Sequence, residues 1–104
     1  MGYLDYWRLA SDPGGGVIPG HAGEFETSLV LALAPELVGP RQARPRPPSM
    51  PAVPDTQIHA AASWQAIDGY TDDPARADAD RGQRWLTQCV QGLADRLVAL
   101  ADTL

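Results

Sequence analysis

The last third of the chain carries a regular apolar pattern that limits how the molecule can fold. Six apolar residues recur at alternating four- and three-residue steps, which places them on one side of a helix: Leu86, Val90, Leu93, Leu97, Leu100 and Leu104. With Asp73-Pro74 as cap and first-turn residue, a helix is predicted from about Ala75 to Ala101. Because an apolar face needs a surface to cover it, we expect this helix to dock on a sheet rather than to form a coiled coil.

A second helix is predicted after a glycine-rich stretch near the N-terminus. Good helix formers begin at Glu24, and apolar residues follow at four-residue spacing. The acids Glu24 and Glu26 suit the positive end of the helix dipole, and Pro35 ends the helix. The sequence therefore places His21 at the start of a short helix.

Size and charge exclude several functional classes. At 104 residues the chain forms one small domain at most, and its net charge of −5 argues against a nucleic-acid partner. No apolar run approaches the ~18 residues of a membrane span, so we expect a cytoplasmic protein with no membrane partner. All eight positive charges are arginines, which is typical of a GC-rich bacterial genome. The single cysteine, Cys89, is predicted to be a small buried residue.

Two stretches are expected to lack long helices. Residues 2–9 contain aromatic residues without a clean period and predict the end of a strand that runs into a glycine-rich loop. Residues 39–63 are rich in proline and predict an exposed arm. Within the arm, Arg41 and its neighbouring arginines are interpreted as solvated rather than as a phosphate patch, and His59 is also expected to be solvated.

His21 is the candidate for acid–base chemistry because an imidazole can transfer a proton near neutral pH. By residue type alone, a lone histidine is more often structural. Glu26, five residues later, either orients the ring through a carboxylate–imidazole bond or stabilises the start of the helix. Glu24 is interpreted as a charge at the helix start.

The segment 21–38, HAGEFETSLVLALAPELV, resembles the signature of the creatininase (creatinine amidohydrolase) family: His-Gly/Ala-Gly-x-x-Glu-Thr-Ser, an apolar helix and a Pro-x-Leu-Val ending. Tyr6-Trp7 resembles the family's Tyr-Trp pair at the end of a strand. The sequence GYTDDP at 69–74 resembles the Gly-x-x-Gly-Asp-Pro turn before the family's last helix. The resemblance covers nearly the whole chain but only the C-terminal part of the family.

This resemblance implies an α/β fold class, in which the chain is a C-terminal fragment of a three-layer α/β/α sandwich. It would supply one or two short strands, the helix after His21 and the long C-terminal helix. Within a partial domain of residues 1–104, residues 1–38 would form a strand end, the active-site loop and a helix. Residues 39–63 would form the proline-rich loop, and residues 64–104 the turn and the C-terminal helix.

The resemblance also implies an activity, the metal-dependent hydrolysis of cyclic or linear amide C–N bonds. It assigns catalysis to His21 and Glu26, with the histidine doing acid–base work, and substrate binding to Trp7, which would stack on a planar, guanidine-like group. Gly20 stands where creatininase has an acid before the motif histidine. This departure argues against creatinine itself as the substrate.

Members of the family hold two zinc or manganese ions through a Glu-x-His pair, an Asp and a His-x-Glu pair in the N-terminal part of the fold. None of these motifs occurs in this sequence. His21 with Glu24 and Glu26 cannot form a two-metal cage, so we expect no cofactor to bind this chain alone.

Three interpretations follow from the sequence. The chain is an inactive C-terminal segment of an amidohydrolase, or a half-subunit that completes a separately encoded metal-bearing half. Alternatively, it is a non-catalytic interaction module that uses the leucine-rich helix. The expected partners are the missing N-terminal half or further copies of the chain, with a small-molecule amide substrate only in a complete enzyme.

Overall fold

The computed structural model describes residues 2–11, 20–43, 53–54, 56, 58 and 60–104. They form three α-helices, α1 (Glu24–Leu33), α2 (Ala61–Ala66) and α3 (Ala79–Thr103), and three short 3-10 helices at Tyr6–Leu9, Pro35–Leu37 and Pro74–Arg76. The predicted glycine loop, most of the proline-rich arm and His59 lie outside the described residues. None of the helices seen in the structure has the length and apolarity needed to cross a membrane.

The predicted α/β sandwich is wrong for the part of the chain that the structure describes, which is mostly helical and contains no sheet. Its β pairing is limited to an isolated bridge between Val53 and Thr56. The strand end expected at residues 2–9 is instead the 3-10 helix Tyr6–Leu9. There the Arg8 N–H donates to the Asp5 carbonyl at 3.1 Å. Because no described strand lies beside this segment, its backbone forms its hydrogen bonds locally.

The core forms where α1 packs against α3. Phe25 of α1 is buried with Trp85 and Cys89 of α3, and the centroids of the two rings lie 5.2 Å apart. This burial confirms the prediction for Cys89. The Cys89 thiol donates to the carbonyl oxygen of Tyr6 at 3.3 Å. The N-terminal 3-10 helix is thereby held against α3.

Backbone contact brings the two helices unusually close at one point. The carbonyl oxygen of Ser28 faces Gly82, and a Cβ added at Gly82 would lie 1.9 Å from that oxygen. The buried Ser28 hydroxyl donates to the Glu24 carbonyl at 2.6 Å and accepts from the Asp78 N–H at 3.0 Å. The two helices can pack this closely only because residue 82 is a glycine and has no side chain.

α3 begins later than the predicted start near Ala75. Asp73 caps the separate 3-10 helix Pro74–Arg76 by accepting from the Ala75 N–H at 3.1 Å. A new cap, Asp78, then starts α3 by accepting from the Arg81 N–H at 2.8 Å. The structure therefore has two helices here, each with its own aspartate N-cap, where the sequence predicted one helix.

The face of α3 that packs on α1 is not the leucine stripe. Gly82, Trp85 and Cys89 are buried, whereas the later members of the stripe are 40–97% exposed: Val90, Leu93, Leu97, Leu100 and Leu104. Docking of the stripe on a sheet is therefore wrong for the described residues. The helix packs through the face that combines a glycine, which permits close approach, with a large aromatic side chain.

Candidate functional site

The three residues predicted to form the site line one cavity of about 230 Å³. Trp7 comes from the N-terminal 3-10 helix, His21 from the loop before α1, and Glu26 from the first turn of α1. Tyr6, Gly20 and Phe25 complete the lining. The structure therefore brings Trp7, His21 and Glu26 together, while their chemical roles stay predictions.

His21 is held by its backbone and leaves its ring accessible. Its N–H donates to the Thr71 hydroxyl at 2.6 Å, and its carbonyl accepts from the Thr71 N–H at 2.9 Å. The imidazole is 52% exposed and packs at 89° against the ring of Trp64, with centroids 5.3 Å apart. A fixed backbone with an accessible ring suits proton exchange with a ligand.

Glu26 organises the turn that carries His21. Its Oε2 accepts a hydrogen bond from the Ala22 N–H at 2.5 Å and lies 3.9 Å from His21 Nδ1. The second distance is too long for the predicted carboxylate–imidazole hydrogen bond. The Glu26 carboxylate therefore lies beside the imidazole without a hydrogen bond to it.

Thr71 and Asp72 support the site from the turn at 69–74, and the sequence did not assign them to it. The N-cap of α1 is Gly23, which has no side chain, and Asp72 Oδ2 instead accepts the Glu24 N–H at 3.0 Å. A Cβ at Gly23 would lie 1.6 Å from Asp72 Oδ1. The sequence of this turn resembles that of the family, but it did not predict that Asp72 caps a helix whose first residue is 48 positions away in the chain.

Removing this remote cap should loosen the His21 loop. We expect Asp72→Ala to lower the free energy of unfolding by about 1 kcal/mol, which is typical for loss of an N-cap. The control Asp102→Ala, on the exposed last turn of α3, should change it by less than about 0.5 kcal/mol. Urea denaturation followed by circular dichroism measures both. Equal values for the two variants would mean that the hydrogen bond to Glu24 does not stabilise the fold.

Glu24 faces away from the cavity. Its carboxylate is buried and forms ion pairs with Arg76, at 3.4 Å, and with Arg81. The two guanidinium groups provide the charge partners that a buried carboxylate requires. Glu24 therefore belongs to the packing of α1 rather than to the site.

The described residues do not fit a two-metal centre. Among them, no group of three or more His, Cys, Asp or Glu side chains is close enough to hold a metal ion. The carboxylate of Glu24 is paired with arginines, and Glu26 Oε2 is bonded to the Ala22 N–H. Within the described part of the chain, His21 therefore lacks the further ligands that zinc requires.

The aromatic side of the cavity offers a stacking surface and a hydrogen-bond donor. The guanidinium of Arg8 lies 4.8 Å from the centroid of the Trp7 ring, so this ring already packs against one planar cation. Burial, followed by the nearby Glu26 carboxylate, raises the pKa of Tyr6 above its ordinary value. Tyr6 is thus a neutral phenol at physiological pH. The sequence did not assign it to the site, although it precedes Trp7 in the Tyr-Trp pair.

Comparisons with known proteins agree with the resemblance seen in the sequence. The sequence model named Creatininase, described as creatinine amidohydrolase, matches residues 6–97. A creatinine amidohydrolase from Pseudomonas putida is 32% identical over 117 aligned residues, which cover 90% of this chain. The chain spans 40% of the length of that relative. No solved structure matches the chain.

Proposed function

Because the chain belongs to the creatininase family, we propose that it contributes the His21 cavity to an enzyme that hydrolyses amide C–N bonds. The observation that carries this proposal is the convergence of Trp7, His21 and Glu26 on one cavity. Since the described residues do not fit a two-metal centre, we place the metal ligands outside this part of the chain. On this view, the chain is inactive by itself.

His21 is the proton carrier in this proposal. Its Nδ1 faces Glu26, so Nε2 is the nitrogen that exchanges a proton with the substrate. When water attacks the amide carbonyl, the imidazole accepts a proton and then donates it to the departing amide nitrogen as the C–N bond breaks. Glu26 orients the turn that carries the imidazole through its hydrogen bond with the Ala22 N–H.

The aromatic residues hold the substrate beside the imidazole. Arg8 covers part of Trp7, and the side of Trp7 that lines the cavity stacks on a planar part of the substrate. The Tyr6 phenol is protonated near neutral pH, as its raised pKa also favours, so it donates a hydrogen bond to a substrate oxygen. The side chains of Trp7 and Tyr6 therefore bind and orient the substrate.

Reconstitution tests this proposal. The purified chain is mixed with a separately produced polypeptide that carries the family's metal-ligand region, and hydrolysis of small cyclic and linear amides is followed by the appearance of free amino groups. We expect activity only in the mixture, and elemental analysis should find no stoichiometric zinc or manganese in the chain alone. Amide hydrolysis by the chain alone, or tight retention of metal, would contradict the proposal.

A non-catalytic role in protein association is the second candidate, because the leucine stripe of α3 is exposed in the structure. The stripe would bind further copies of the chain instead of a metal-bearing partner. Self-association of the chain, abolished by Leu93→Asp with Leu97→Asp, would favour this candidate. Loss of reconstituted activity in the same variant, without self-association of the parent chain, would favour a docking role within the enzyme.

A further inference from the structure

A second and larger cavity lies beside the His21 cavity, with Glu26 in the lining of both. Its volume is about 610 Å³, within the range of small-molecule sites. It lies between α1, the segment 37–42 and the turn at 69–74. Residues of the family motif line this space, but the proposed proton transfer takes place in the His21 cavity beside it.

The lining combines apolar side chains with a basic group. Val30, Leu37, Val38 and Pro40 supply apolar surface, and Val30 and Leu37 are 39% and 74% exposed. Arg41 also lines the cavity and is exposed, and no ion pair or hydrogen bond joins it to another described residue. An accessible guanidinium next to exposed apolar side chains is complementary to an anion with an apolar body.

We propose that this cavity binds a small organic monocarboxylate with a branched aliphatic body, and that Arg41 binds its carboxylate. The guanidinium fork matches the two oxygens of a carboxylate, and the apolar side chains remove the aliphatic body from water. Because Glu26 lines both cavities, the inference also gives a substrate class. In this class, the amide substrate carries a separate carboxylate, which Arg41 binds while the amide group lies at His21. This part of the inference rests on the proposed function.

The charges of the lining favour a monocarboxylate over inorganic phosphate. Arg41 is the one arginine among the described residues of the lining, and Glu26 contributes a negative charge on the α1 side. A strongly hydrated dianion would need several donors and would be repelled by that carboxylate. A monoanion needs fewer donors and is repelled less strongly than a dianion, and burial of its apolar body favours binding.

Nuclear magnetic resonance titration of the 15N-labelled chain tests the inference with 4-methylpentanoate, its neutral isostere 4-methylpentanamide, and acetate. We expect the amide signals of Val30, Val38 and Tyr70 to shift with 4-methylpentanoate, which should bind about tenfold more tightly than the neutral amide. Acetate should not saturate the site because it lacks the apolar body.

Variants then assign the charge recognition to Arg41. Arg41→Gln should bind the acid and the neutral amide equally, whereas Arg84→Gln, an exposed position on α3 outside the cavity, should keep the tenfold preference. Unchanged selectivity in Arg41→Gln, or no shifts at the cavity in the parent chain, would overturn the inference.

The outcome is separable from that of the proposed function. His21→Ala should leave carboxylate binding unchanged, because His21 does not line this cavity. Binding without any hydrolysis in the reconstituted enzyme would reject the proposed function alone. Hydrolysis of amides without selective carboxylate binding would reject the inference alone.

Discussion

Replacing Gly82 with alanine should lower the free energy of unfolding by about 3 kcal/mol, at the upper end of the usual cost of overpacking. The new Cβ would lie 1.9 Å from the Ser28 carbonyl oxygen and 2.4 Å from its carbonyl carbon. Both are backbone atoms within α1, so no side-chain rotation can relieve the clash. The two helices must move apart, which opens the core around Phe25 and Trp85. Urea denaturation followed by tryptophan fluorescence measures the loss.

Gly92 provides a matched control in the same helix. A Cβ there would lie 3.2 Å from Leu9 Cδ2 and 3.3 Å from Leu9 Cβ, so Leu9 would need to move by only a few tenths of an ångström. Alanine also gains up to ~1 kcal/mol of helix propensity over glycine, which offsets the crowding. We therefore expect Gly92→Ala to be neutral or slightly stabilising. Similar losses at both positions would show that glycine content, rather than contact with Ser28, sets the stability of α3.

Replacing His21 with alanine should reduce kcat of the reconstituted enzyme by about 100- to 10,000-fold, the usual contribution of a general acid–base residue. The free energy of unfolding should change by less than about 1 kcal/mol, since the ring is half exposed and the backbone hydrogen bonds to Thr71 do not depend on it. Amine release and urea denaturation give the two quantities.

Chemical rescue separates proton transfer from a structural role. Free imidazole should restore part of the rate to the His21→Ala enzyme if the missing group carries protons, and it should not alter the parent enzyme. Full activity in the variant would remove His21 from the mechanism. A loss of activity that parallels a large loss of stability would assign it to the fold instead.

The sequence correctly predicted those features of the helices that depend on residues close together in the chain. α1 runs from Glu24 to Leu33, as the acids of its first turn and the proline at position 35 indicated. α3 is long and amphipathic, and its single cysteine is buried. Caps, breakers and periodicity act within a few residues, so they can be read directly from the chain. The grouping of His21, Glu26 and Trp7 came instead from the resemblance of their motifs to a family.

Features set by distant contacts were not predictable in this way. Periodicity identified the leucine stripe of α3, but Gly82, Trp85 and Cys89 also repeat at three- and four-residue steps, and that face packs on α1. A strand at residues 2–9 would have needed a partner strand, which local composition cannot supply. The cap that Asp72 provides to α1 depends on a contact between residues 48 positions apart.

The backbone at Ala22 has an entropic consequence for the neighbouring histidine. Its φ of 50° lies in the left-handed region, which costs a residue with a side chain ~1 kcal/mol or more compared with glycine. An unfolded chain with alanine at this position nevertheless samples fewer conformations than one with glycine, so less disorder is lost when the loop forms. The hydrogen bond from the Ala22 N–H to Glu26 then helps to hold the backbone that carries His21 in one conformation.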